Sequence, residues 1–138
     1  MLSLGERLMQ MINTRLPNQP RTVGGSHAAV VVFSSANPDV GDIEIYDDGE
    51  ELTVLVGKFT HTHFGNYDTT LSSQERVERI AEDVVSFLED VFADRIEFFG
   101  SHIGAGGFRR REHPRGLLSK LIFGRKTYVW SGPVRNDG

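Results

Sequence analysis

The sequence predicts an α+β fold: a two-layer, mainly antiparallel sheet of about five strands with two principal helices on one face. Three observations carry this. Residues 42–56 alternate apolar and polar side chains around Asp48-Gly49, the pattern of a β-hairpin. Two other stretches repeat apolar residues at helical spacing and open with capping residues. The remaining strand-like runs are short, and the polar outer face of the hairpin favours two layers over three.

The first helix is expected over residues 3–16. Leu4, Leu8, Met11, Ile12 and Leu16 form one stripe, Ser3 and Glu6 suit a capping box, and Pro17 ends the element. The continuously apolar run Ala28-Ala-Val-Val-Val-Phe33 is expected to be a central strand. In the hairpin, a two-residue type I′ turn at Asp48-Gly49 sets Ile45 opposite Leu52 and Ile43 opposite Val54. The apolar residues other than Leu55 then share one face. Past Val56 the alternation fails, because Lys58 would fall on the apolar face and Phe59 would face water. A bulge or tight turn at Gly57 is expected to return Phe59 inward, carrying His61 and His63 with it.

The second helix is expected over about 73–93. Ser72 and Glu75 suit another capping box, and Val77, Ile80, Ala81, Val84, Val85, Leu88, Val91 and Phe92 form its apolar stripe. Arg95–Ser101 and Lys126–Trp130 read as strands, separated by a glycine-rich turn and a basic run. Residues 116–123 suit either a short helix or a strand.

One domain spanning residues 1–138 is expected from this length. With 19 acidic against 15 basic residues and a net charge of −4, nucleic acid is disfavoured as a partner. The absence of cysteine excludes disulfides and thiolate chemistry. No apolar run is long enough for a bilayer, and the N-terminal stretch lacks the basic start and apolar core of a signal peptide. A soluble, cytoplasmic protein without membrane partners is expected.

Three groups of residues could carry chemistry. His61 and His63, joined by Asp68 and His102, would give an N/O donor set for zinc, iron or manganese. The order His-x-His-x4-Asp is similar to the first cupin motif. The acid here is Asp, however, the second histidine motif is missing and a long helix stands where a jelly roll needs strands, so no family is assigned. The alternative for these histidines is a structural role, bonded to backbone, Tyr67 or threonine hydroxyls. The second group is Gly104, Gly106, Gly107, Arg109, Arg110 and Arg111, whose amides and guanidinium groups could cradle an anion; alternatively they form a mobile loop whose charges offset the acidic hairpin edge at Asp39, Asp42, Asp47, Asp48, Glu50 and Glu51. The third is Tyr128 and Trp130, which either line an interface on an edge strand or close the core.

No complete catalytic set appears. The leading expectation is a non-catalytic binding or interaction protein that needs no cofactor. It would engage a protein partner or a second copy through an edge strand. The alternatives are a divalent-metal enzyme using His61, His63, Asp68 and His102, and an anion or nucleotide binder using residues 104–111.

Overall fold

Helix α1 spans Leu4–Arg15 and opens with the full capping box: Ser3 Oγ accepts from Glu6 N–H at 3.2 Å, and Glu6 answers toward the Ser3 N–H. Its apolar stripe, Leu4, Leu8, Met11 and Ile12, is buried. A computed structural model describes residues 2–24, 29–100, 106–111 and 127–133, and the statements below concern those. The strands are β1 (Thr22–Val23), β2 (Val31–Phe33), β3 (Ile43–Asp47), β4 (Glu51–Val56) and β5 (Thr60–Gly65). Then come α2 (Ser73–Phe92), β6 (Ile96–Phe99), β7 (Gly107–Arg110), β8 (Thr127–Val129) and β9 (Gly132–Pro133).

The fold is α+β. Strands β1 to β5 form one antiparallel sheet in sequence order, and β7-β6-β8-β9 form a second one that the sequence reading did not anticipate. Its strands have four residues or fewer, too short for a two-residue alternation to stand out. One continuous apolar cluster joins both sheets to both helices.

The β3–β4 hairpin has the expected faces but another register. Ile45 pairs with Val54 and Ile43 with Val56, two residues from the expected alignment. A shift of two leaves every side chain on its own face, so Ile43, Ile45, Leu52, Val54 and Val56 are all fully buried. The tip is Gly49-Glu50 rather than Asp48-Gly49. Gly49 has φ +93° and Glu50 has no positive φ, which suits a II′-type turn and excludes I′. Asp47 explains the shift. Its carboxylate accepts the Gly49 N–H at 2.8 Å and, from across the molecule, the Gly5 N–H of α1 at 2.9 Å.

Gly57 does break the next strand, with the opposite consequence for the histidines. The turn between β4 and β5 holds three residues, Gly57 to Phe59, closed by Phe59 N–H on the Val56 carbonyl. Gly57 adopts φ +56°, and a Cβ there would strike the Val40 carbonyl. Val54 therefore pairs with Thr62, and Leu52 with Phe64. Thr60, Thr62 and Phe64 take the inner face, while His61 and His63 point outward and are exposed. Phe59 is turned inward as expected, stacked on Phe98 with centroids 5.7 Å apart.

Helix α2 is capped by Ser72, whose Oγ accepts the Glu75 N–H at 3.1 Å. It ends in a Schellman arrangement: Arg95 N–H returns to the Asp90 carbonyl and Asp94 N–H to that of Val91. Asp94 occupies the left-handed position, φ 59°, that glycine usually takes. Its carboxylate holds Ser131 through the backbone N–H at 3.1 Å and the hydroxyl at 2.5 Å. Ion pairs clasp the two helices: Arg7 grips Glu78 through two bonds, and Arg15 bridges Glu82 and Glu89. Among the described residues no helix is long and apolar enough to cross a membrane.

Candidate functional site

A cleft of about 320 Å³ lies where the start of α1, the tip of the β3–β4 hairpin and the first turns of α2 meet. Leu4, Val77 and Ile80 supply apolar wall, and Gly49, Glu50, Asn66, Tyr67, Ser73 and Arg76 complete the lining. Local chemistry builds each wall. The Asp47 carboxylate fixes the hairpin to α1 at Gly5, where an added Cβ would lie 3.1 Å from Val30 and 3.2 Å from Asp47 itself. The loop from β5 to α2 is shaped by two side-chain turns. Asn66 Oδ1 accepts the Asp68 N–H at 3.0 Å, and Asp68 Oδ1 accepts the Thr70 N–H at 2.9 Å and hydroxyl at 2.6 Å. Tyr67 is exposed but tethered, its hydroxyl donating to the Glu51 carboxylate.

These contacts set the electrostatics. The bond to Glu51 raises the Tyr67 pKa above its usual value, keeping the phenol protonated as a donor. The two bonds from Thr70, with the positive charges of Arg79 and Arg76 behind them, lower that of Asp68. The Arg76 side chain is half-buried and, among the described residues, makes neither an ion pair nor a hydrogen bond, whereas Glu50 lies exposed at the rim.

The expected metal ligands are only partly assembled. His61 and His63 share the outer face of β5, ring centroids 5.3 Å apart and nearly perpendicular. His63 Nδ1 lies 2.9 Å from Thr53 Oγ1 and 3.6 Å from Glu51 Oε2. The Asp68 carboxylate is engaged by Thr70, and His102 lies outside the described residues. Among the described residues no three His, Asp or Glu side chains are grouped to hold an ion.

Gly104 also lies outside the described residues, but the rest of the expected anion loop has a clear place. Gly107 to Arg110 is strand β7, paired with β6. Gly106 presses on the Phe59 carbonyl and Gly107 on the Phe99 ring, close approaches a side chain would prevent. Arg109 and Arg111 both meet the buried Glu97, at 3.2 and 3.1 Å, and Arg110 meets Asp90 at 2.8 Å. The acids that offset this basic run are therefore Glu97 and Asp90, not the hairpin tip.

Tyr128 lies on an inner strand of the second sheet, and Trp130 lies in the turn that follows it. Strand β8 lies between β6 and β9. Trp130 is buried against Phe92, centroids 5.1 Å apart, and Tyr128 packs on Phe59 at 5.4 Å. Both help close the core. Residues 116–123, which suit either a helix or a strand, are not among those described.

The cleft was not foreseen. Its lining is drawn from residue 4, residues 49–50, 66–67 and 73–80, and no local spacing links these segments. Comparison with known protein families, curated proteins and solved structures finds no match for this chain.

Proposed function

We propose that this chain is a small non-catalytic binding protein, and that the cleft between the β3–β4 tip and the start of α2 seats its ligand. The supporting observation is the combination of an apolar wall with a half-buried guanidinium, that of Arg76, which has no side-chain partner among the described residues. Ligand sites commonly pair apolar lining with a few polar groups that set orientation, at volumes from about 300 Å³ upward. The cleft sits at the lower end of that range, which suits a small molecule rather than the face of another protein. Arg76 favours a carboxylate, because a guanidinium matches that group bidentately and the positive end of α2 adds to its field. Glu50 is exposed, where solvent screens its charge, so it competes weakly for the same ligand. The ligand class is an apolar molecule with one acidic end.

The test is thermal melting with hexanoate and octanoate beside the matching amines and alcohols. A ligand at about 100 times its Kd adds roughly 2.7 kcal/mol to the folded state. The carboxylates should raise the Tm of the wild type and lose that effect in Arg76→Ala. Filling the cleft with Val77→Trp should also abolish it. Shifts from amines alone, no shift from any compound, or a carboxylate shift retained in Arg76→Ala would each overturn the reading.

A further inference from the structure

We infer that His61 and His63 form a two-imidazole site for a late divalent transition metal, with Cu(II) preferred. The site is separate from the cleft and carries a different chemistry.

The first argument is spacing. Residues i and i+2 of a strand share a face, and β5 places both imidazoles on the exposed one. With metal–nitrogen bonds of about 2.0–2.1 Å, two imidazoles on one ion hold their centroids roughly 4.5–5.2 Å apart, from square-planar to tetrahedral angles. The observed 5.3 Å lies just above that range.

The second argument concerns protons. The Thr53 hydroxyl has a single hydrogen and donates it to the Asp48 carboxylate. Toward His63 the same oxygen must accept, so His63 Nδ1 carries the proton across the 2.9 Å contact. Glu51 Oε2, 3.6 Å from that nitrogen, favours the same tautomer. The His63 Nε2 lone pair is then free for a metal. A hydrogen bond from the second ring nitrogen is how proteins orient ligating histidines, and here the Thr53 hydroxyl accepts it.

The third argument selects the metal. Among the described residues no third His, Asp or Glu completes the set, so the other positions go to water or to outside donors. Two nitrogens with oxygen donors suit tetragonal Cu(II), which also stands highest in the divalent affinity order. Structural zinc sites need more protein ligands than this.

The experiment is titration of the full chain with Cu(II), Ni(II) and Zn(II) by calorimetry, with electron paramagnetic resonance of the copper form. The expected result is one Cu(II) per chain, bound more tightly than Zn(II), with a spectrum showing nitrogen coupling. His61→Ala and His63→Ala should each weaken it by at least about tenfold, and Thr53→Val by roughly tenfold through lost orientation. These side chains are at the surface, and unchanged urea midpoints verify that the variants fold. A combined His27→Ala, His102→Ala and His113→Ala variant should bind like the wild type. Equal Cu(II) affinity in wild type and His61→Ala, loss confined to the combined variant, Zn(II) tighter than Cu(II), or no stoichiometric binding would overturn the inference.

Discussion

Replacing Asp47 with alanine should destabilise the protein by about 2 kcal/mol, although the residue is neither apolar nor part of the core cluster. Its carboxylate joins α1 to a hairpin 42 positions away in sequence. Gly5 is buried, so its N–H has no ready access to water once Asp47 Oδ2 is gone. An unsatisfied buried donor costs about 1–3 kcal/mol, in line with the upper range for a lost helix cap. Gly49 N–H loses a partner too, but it is exposed and water replaces the bond at roughly 0.5 kcal/mol. Urea unfolding measures the sum: with a slope of about 1–3 kcal/mol/M, the midpoint falls by the order of 1 M at unchanged slope. Asp47→Asn keeps one acceptor and should fall between. Asp48→Ala is the control; it loses an exposed bond to Thr53 and should cost under about 0.5 kcal/mol. If Asp47→Ala matched Asp48→Ala, the carboxylate would not be anchoring α1.

Further measurements follow from the same geometry. Gly57→Ala should cost more than 2 kcal/mol in the same urea assay, because left-handed strain of about 1–2 kcal/mol adds to a clash with Val40. Gly49→Ala meets open space and should cost only the strain. Ser72→Ala should lose about 1 kcal/mol and Ser73→Ala a few tenths, since only Ser72 caps α2. Asp94→Ala should cost about 2 kcal/mol by combining backbone strain with loss of Ser131, and Asp94→Gly should recover the strain component. Arg7 and Arg15 lower the pKa values of Glu78 and Glu82, each chiefly through a direct hydrogen bond. That stability is full above the ordinary glutamate value of about 4.3 and is lost as pH falls through the lowered folded values. Acid midpoints should therefore rise in Arg15→Ala, and concentrated salt should shrink the difference because these pairs are largely exposed.

What could be read in the sequence was local. Ser3, Glu6 and Ser72 announce helix starts because a cap forms within four residues. The buried face of β3 and β4 was legible because alternation survives any shift by two, which is also why the register itself was not. Gly57 marked a break, but a glycine does not state how many residues the turn will hold. Arg109, Arg110 and Arg111 resembled an anion cradle because Glu97 and Asp90 lie 12 or more positions earlier, and only the pairing of β6 with β7 brings the charges together. The cleft required four separated segments to converge, which no periodicity encodes.

The three-residue turn from Gly57 to Phe59 gives this protein an unusual sensitivity to insertion and deletion. Loss or gain of one residue there would leave composition, charge and hydrophobicity almost untouched. It would nevertheless rotate β5 by half a turn against β4, driving two imidazoles toward Val54 and Val56 while Phe64 swung into water. Substitutions along β5 can drift one at a time, but the length of that turn cannot. Lineages descended from this chain should accordingly vary freely at Lys58, whose side chain is exposed, and keep the number of residues between Val56 and Thr60 constant.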